Sequence, residues 1–208
     1  MDLNFFGKQG SGKGTQAGII AKKFSYKIFE TGGALRSIAQ GESDLGLKVK
    51  LIMEKGNLVP TEIVMAVVED FVKKTKKEEK IIFDGIPRSK EQKTYFDQIV
   101  KENSRNIKNI LIDISDKEAL RRLSERKICE DCNKVYGAFY EGEICENCGG
   151  RLIKRLDDNP EAIKKRLEIY EKETLPVVNE YKDSDNMIII NGEKNIEEIS
   201  SDITENIK

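Results

Sequence analysis

Two groups of residues in this 208-residue chain carry recognisable chemistry. The first is Gly7-Lys8-Gln9-Gly10-Ser11-Gly12-Lys13-Gly14-Thr15, directly after the apolar run Leu3 to Phe6. A strand that enters a glycine-rich turn and leaves through a lysine into a helix is the construction of a phosphate-binding loop. Glycines let the chain curl until successive N–H groups converge on one anion. The helix starting near Gly12 adds the positive end of its dipole, and Lys13 adds a mobile full charge. The usual loop has Ser or Thr straight after the lysine, where the hydroxyl ligates Mg²⁺. Here Gly14 holds that place and Thr15 follows. Magnesium is therefore expected to be held by waters and by acids elsewhere. A glycine-rich turn with a chance lysine is the plain alternative, and the flanking strand and helix speak against it.

The second group is Cys129-x-x-Cys132 and Cys145-x-x-Cys148, two pairs separated by a loop of 12 residues. Knuckles at this spacing can bring four thiolates into a tetrahedron around Zn²⁺, with iron as the alternative metal. Disulfides or inert thiols are the other readings, and a cytosolic chain disfavours the first. With cysteine at all four positions no coordination site stays open, so the metal is expected to hold structure and not to catalyse. Histidine is absent, which removes imidazole acids, bases and ligands at once.

Composition narrows the setting. Lys and Arg number 36 against 37 Asp and Glu, for a net charge of −1, so no basic field exists to gather nucleic acid. Charged residues make up 35% of the chain, and no apolar stretch approaches the ~20 residues of a membrane span. The start, Met1-Asp2-Leu3, lacks the basic and apolar regions of a signal peptide. A cytoplasmic monomer without membrane or nucleic-acid partners is the expectation.

The elements that position these residues read as alternating strands and helices, the pattern of a parallel sheet covered on both faces. Strands are expected at Leu3–Phe6, Tyr26–Phe29, Lys80–Phe83, Asn109–Ile114 and Met187–Ile190. Helices are expected at Gly12–Lys23, Thr61–Lys76, Ser89–Asn103, Asp116–Lys127 and Ile196–Ile207. Asn159-Pro160-Glu161 is a helix start, and that helix runs toward Tyr181 with a disturbance at Pro176. Two stretches break the alternation: 31–60, holding two short helices near Ala34–Ala39 and Leu45–Lys55, and the cysteine-bearing stretch from Lys127 to Lys154.

Several separated motifs jointly resemble the adenylate kinases in their zinc-bearing, long-lid form. Gly7 to Gln16 is similar to that family's phosphate loop, including a Gly-Lys-Gly-Thr-Gln ending that accounts for Gly14. Thr31-Gly32-Gly33-Ala34-Leu35-Arg36 resembles its monophosphate-binding motif, and Gly56-Asn57-Leu58-Val59-Pro60 the far end of the same subdomain. Asp84-Gly85-Ile86-Pro87-Arg88 with Gln92 resembles its Asp-Gly-Phe-Pro-Arg…Gln motif. Gln9, Glu30, Gly33 and Ile86 depart from the common pattern, which has Pro, Ser, Asp and Phe there.

The resemblance implies a three-layer α/β/α fold of the P-loop NTPase type with a five-stranded parallel sheet. It implies a core (1–29, 61–126, 157–208), a helical monophosphate-binding subdomain (30–60) and a zinc-knuckle lid (127–156). It implies the reaction Mg·ATP + AMP ⇌ 2 ADP. On this reading Gly10, Ser11, Gly12, Lys13, Gly14 and Thr15 hold the ATP phosphates. Arg122 lies along the ATP base and Arg126 meets its phosphates. Thr31, Gly32, Arg36, Val59, Gly85, Arg88 and Gln92 form the AMP side. Arg155 and Arg166 reach the transferring group, Asp84 partners magnesium-bound water, and Asp157 and Asp158 pair with the arginines. The other readings are a kinase for UMP, CMP or GMP, and a nucleic-acid-binding zinc ribbon. The second expects a basic cysteine segment, yet Glu130, Asp131, Glu141, Glu143 and Glu146 lie there.

Overall fold

The computed structural model describes residues 1–137, 140–155, 157–184 and 186–207. The expected lid range takes in 138, 139 and 156, and the closing core range 185 and 208, which lie outside the described residues. In chain order the elements begin β1 (Asp2–Phe6), α1 (Lys13–Phe24), β2 (Tyr26–Glu30), α2 (Thr31–Ala39), α3 (Asp44–Glu54) and α4 (Thr61–Lys74). They continue as β3 (Lys80–Asp84), α5 (Lys90–Glu102), β4 (Ile107–Asp113), α6 (Asp116–Ser124), β5 (Lys127–Cys129), β6 (Val135–Tyr136) and β7 (Leu152–Ile153). The chain then forms α7 (Pro160–Ile169), a π-helical segment (Tyr170–Thr174), α8 (Leu175–Asp183), β8 (Met187–Asn191) and α9 (Ile196–Ile207).

Five strands form one parallel sheet in the order β2-β3-β1-β4-β8. Side-chain alternation divides its two faces. Leu3 and Phe5 of β1, Ile82 of β3, and Ile110 and Ile112 of β4 pack under α1 and α9 with Ala17, Ile20, Ile199 and Ile203. Ile81 and Phe83 point the other way, into a cluster with Phe29, Leu35, Val68 and Phe96 from β2, α2, α4 and α5. Phe6 and Leu111 meet Val177, Val178 and Tyr181 of α8 on that second side. Strands buried on both faces read as continuous apolar runs, which is why β3 and β4 stood out in the sequence.

Chain order and register place the site. β1 lies between β3 and β4, so the loop after β1 opens at the crevice where the chain's windings diverge. Register pairs Phe5 with Asp84 and Glu30 with Asp84, so β1, β2 and β3 all end at that crevice. Side-chain caps begin the helices around it: Ser89 accepts from Gln92 N (3.2 Å), Ser115 from Glu118 N (3.3 Å) and Asn159 from Ala162 N (2.8 Å).

Two expectations change. The helix expected to reach Lys127 stops at Ser124, and Lys127 opens β5. The chain must turn out of the helix there to reach the cysteine segment, which frees Arg126 to point back at the site. That segment is a small antiparallel sheet, β6-β5-β7. The helix from Asn159 is broken by the π segment one turn before Pro176, not at the proline. A proline lacks an N–H and crowds the carbonyl four residues back, and a wider turn just ahead relieves both.

Phe83 is fully buried and packs edge-on against Phe96, with ring centroids 5.0 Å apart. Phe83→Ala is expected to lower unfolding stability by about 3–5 kcal/mol, read as a shifted urea midpoint at unchanged slope.

Candidate functional site

The loop from Gly7 to Lys13 owes its shape to its glycines. Gly7, Gly10 and Gly12 have φ of 143°, 85° and 92°, in the range that side-chain-bearing residues avoid. At Gly7 a β-carbon would also overlap the Ile112 carbonyl oxygen and lie 2.7 Å from Ser11 Oγ. Lys13 opens α1 and folds back over the loop. Its ammonium donates to Gly7 O (2.7 Å), Lys8 O (2.9 Å) and Ser11 Oγ (3.4 Å). Burial lowers its pKa to about 8; Asp84 opposes that fall, and Arg88 and Arg126 add to it.

Asp84 ends β3 in the same crevice. Burial pushes its carboxyl above the usual carboxylate range, Lys13 pulls it down, and Glu30 pushes it up again. A side chain at position 14 would begin 3.5 Å from Asp84 Oδ2. The place where a hydroxyl is usual is therefore faced by this carboxylate, which fits a hydrated divalent cation held through Asp84.

Arg88 is the central cation. Its Nε donates to Gly85 O (2.8 Å), and its backbone is fixed at both ends. The Gln92 amide oxygen accepts from Arg88 N (2.8 Å), and Thr174 of the π segment donates to Arg88 O (2.9 Å). Burial lowers the Arg88 pKa; Asp84 counters it, while Arg166, Arg36 and Arg155 add repulsion. Six of the expected cations (Lys13, Arg36, Arg88, Arg126, Arg155 and Arg166) thus act on one another in one place. Gly7, Gln9, Lys13, Gly85, Arg88 and Tyr170 contribute to a cavity of about 30 Å³ there. The Gln9 and Thr31 oxygens, Oε1 and Oγ1, are buried with no hydrogen-bond partner among the described residues.

On the lid side, three arginines share two aspartates. Arg126 binds Asp158 with Nε and Nη2 (2.7 and 2.6 Å), and Arg155 binds Asp157 in the same two-point manner (3.0 and 3.0 Å). Arg166 bridges them, reaching Asp158 Oδ1 at 2.7 Å and Asp157 Oδ2 at 3.3 Å. Burial opposes ionisation of Asp157, but Arg155, Arg166 and Arg126 outweigh it and hold the carboxyl below its usual range.

The remaining expected residues are spread more widely. Arg122 lies on α6, with Nε on Glu118 (2.6 Å) and Nη2 on Gly192 O (2.9 Å). Thr31 and Val59 are buried, Val59 inside the cluster under α4. Arg36 is ion-paired with Glu30 at 2.6 Å. Gly14 and Thr15 are exposed on the first turn of α1. Two groups had no assigned role in the sequence reading: Thr174, which orients Arg88, and the Gln9 amide in the cavity. Position 9 was visible only as a departure from the family pattern. Nothing in the sequence marked Thr174.

The four cysteine sulfurs lie within 4.8 Å of one another, with Cys129–Cys148 at 3.4 Å and Cys132–Cys145 at 3.5 Å. Thiolates at tetrahedral zinc are spaced about 3.8 Å apart, so the donor set fits the ion. Cys132 N points at Cys129 Sγ (3.5 Å), and the Tyr136 hydroxyl donates to Cys145 Sγ (3.2 Å). Burial resists thiolate formation at Cys145, but Tyr136 and the Asn147 and Cys148 N–H groups draw its pKa down to about 6. No other group of three or more potential ligands occurs among the described residues.

Phosphate loop, switch-point crevice and convergent arginines define a P-loop protein built to bring phosphate chains together. The adenylate kinase family model matches residues 5–186. An adenylate kinase of Petrotoga mobilis is 36% identical over 208 residues, covering 98% of this chain and 95% of that protein. Adenylate kinases of Caldicellulosiruptor bescii and Rickettsia conorii are also 36% identical, covering 98% and 100% of this chain and 97% and 99% of theirs. The chain belongs to the adenylate kinase family.

Stripping metal from the cysteine cluster with a chelator under reducing conditions is expected to lower Tm by about 5 °C or more, reversed by added Zn²⁺. An unchanged thermal scan would mean the cluster holds no structural metal.

Proposed function

We propose that the crevice carries out reversible transfer of the terminal phosphoryl group of ATP to AMP, giving two ADP, with the following division of labour. The observation that carries it is the convergence of Lys13 and Arg88 on Asp84, with Arg126 acting on Lys13 and Arg155 and Arg166 on Arg88, in a chain of the adenylate kinase family. Phosphoryl transfer asks for positioning and charge stabilisation more than covalent chemistry. The acceptor phosphate is already an anionic nucleophile, so the lack of histidine is no obstacle.

Lys13 and the Gly10–Thr15 backbone hold the donor's phosphates, with Arg126 beside them and Arg122 toward the base. Arg36 and Arg88 grip the acceptor phosphate, whose nucleoside lies against Thr31, Gly32, Val59, Gly85 and Gln92. The Gln92 oxygen is fixed on Arg88 N, which leaves its NH₂ end as the remaining donor toward a base. Arg155 and Arg166 reach the transferring group from the lid side. Arginine suits these places because its planar fork grips phosphate oxygens in pairs. Asp84 would hold Mg²⁺ through water, and the ion would supply charge neutralisation to the donor phosphates. Residues 30–60 form the acceptor subdomain and 127–156 a lid that Zn²⁺ on Cys129, Cys132, Cys145 and Cys148 would pin. Exclusion of water by that lid protects the transferring group from hydrolysis. Four thiolates of this kind persist in a reducing compartment, which supports a cytoplasmic location.

A coupled assay with ATP and each of AMP, GMP, CMP and UMP tests the reading, and transfer to AMP is expected to dominate. No transfer to any monophosphate would sink it. Lys13→Met is expected to lower kcat by about 10²-fold or more at unchanged Tm.

The Lys13 proton gives a second check. With a pKa near 8 in the free protein, Lys13 is charged below that pH and loses its charge above it. An anion bound against it raises that pKa. kcat/KM for ATP is therefore expected to fall above about pH 8, while kcat holds to higher pH. Superimposable alkaline limbs for the two quantities would contradict this.

A further inference from the structure

Glu30 is the last residue of β2 and stands at the start of α2. A carboxylate in that position has a ready partner in the helix's own free N–H groups. Glu30 makes no such bond. Its side chain runs along the helix instead and accepts from Arg36 Nη2 at 2.6 Å. Two glycines make room for this. At Gly33 a β-carbon would sit 3.0 Å from Glu30 Oε2 and 3.3 Å from its Cδ. At Gly32 it would sit 2.9 Å from Arg36 Nη1. Glu30, Gly32, Gly33 and Arg36 form one unit, a carboxylate and a guanidinium lying flat on the first turns of α2.

Arg36 is one of the two arginines assigned above to the acceptor phosphate, and the inference rests on that assignment. Carboxylate and phosphate are alternative partners for the same guanidinium fork. We propose that Glu30 is an internal anion on Arg36, displaced when the phosphate of the nucleoside monophosphate binds, so that Glu30 sets the affinity of the acceptor site. Displacement is feasible because the pair is open to solvent, with side-chain exposures of 32% for Arg36 and 51% for Glu30. Pairs so exposed hold weakly. The departing carboxylate needs no new partner, because Glu30 is half exposed and water can solvate it once it leaves Arg36. Glu30 is also register-paired with Asp84 at the crevice. Its negative charge therefore opposes an arriving phosphate even before the two compete for Arg36.

The test compares wild type, Glu30→Gln and Arg36→Ala by steady-state kinetics and by calorimetric titration with AMP alone. Glu30→Gln removes the charge and keeps the shape. It is expected to lower KM and Kd for AMP about two- to five-fold, with KM for ATP unchanged. Arg36→Ala is expected to raise KM for AMP at an unchanged KM for ATP. If Glu30→Gln leaves AMP affinity unchanged or weakens it while Arg36→Ala also weakens it, Glu30 does not compete with phosphate and the inference fails alone. If Arg36→Ala leaves AMP affinity unchanged, the assignment of Arg36 to the acceptor phosphate fails, and the inference with it.

Discussion

Like charges held close together in a partly dry crevice are the constraint around which this structure is arranged. Lys13, Arg88 and Arg126 repel one another across the end of the sheet, and burial strengthens that repulsion. The protein answers with anions at fixed places: Asp84 at the end of β3, Asp157 and Asp158 ahead of α7, and Glu30 at the end of β2. Two of these, Asp84 and Glu30, reach the crevice through parallel register alone. The other two are placed by the capped start of α7, whose Asn159 fixes where Asp157 and Asp158 begin. Removing Asp157 or Asp158 would strip a partner from a buried arginine, which costs more than the pair itself contributes, whereas Arg36 beside Glu30 is open to water.

The π segment serves the same centre. Its five residues place Tyr170 in the cavity wall and Thr174 on the Arg88 carbonyl, while Val177 and Val178 one turn later stay packed against β1 and β4. A continuous α-helix has a fixed phase along its length and would have to give up one of these contacts. Widening a single turn shifts the phase between the half of the helix that faces the site and the half that faces the sheet.

Much of this arrangement was legible in the residues. Short β-rich runs alternating with helical periods marked the five strands, the glycine spacing marked the loop, and Asn159-Pro160 marked α7. The paired cysteines marked a metal cluster whose sulfurs do converge. What was not legible depends on pairing across distance. The three-stranded sheet around the cysteines uses strands of two or three residues, too short to show any period. The helix expected to reach Lys127 ends early because the chain turns out toward β5, and that turn sets Arg126 on Asp158, 32 residues away. Glu30 and Gly33 read separately as departures from a family pattern. Only the folded chain joins them in one contact, since a glycine's value here lies in what its neighbour needs to fit.

The ion pairs also differ in how much water they meet, and that divides the site by its response to ionic strength. Asp158 is 2% exposed and its partners Arg126 and Arg166 are 14% and 10% exposed, so mobile ions barely reach these pairs. The Glu30–Arg36 pair lies open to solvent and is screened as salt rises. Rising salt therefore loosens the crevice on the α2 side and leaves the clamp between Arg126, Arg155, Arg166 and the paired aspartates in place. Within one crevice, one wall follows the ionic composition of its surroundings and the other ignores it.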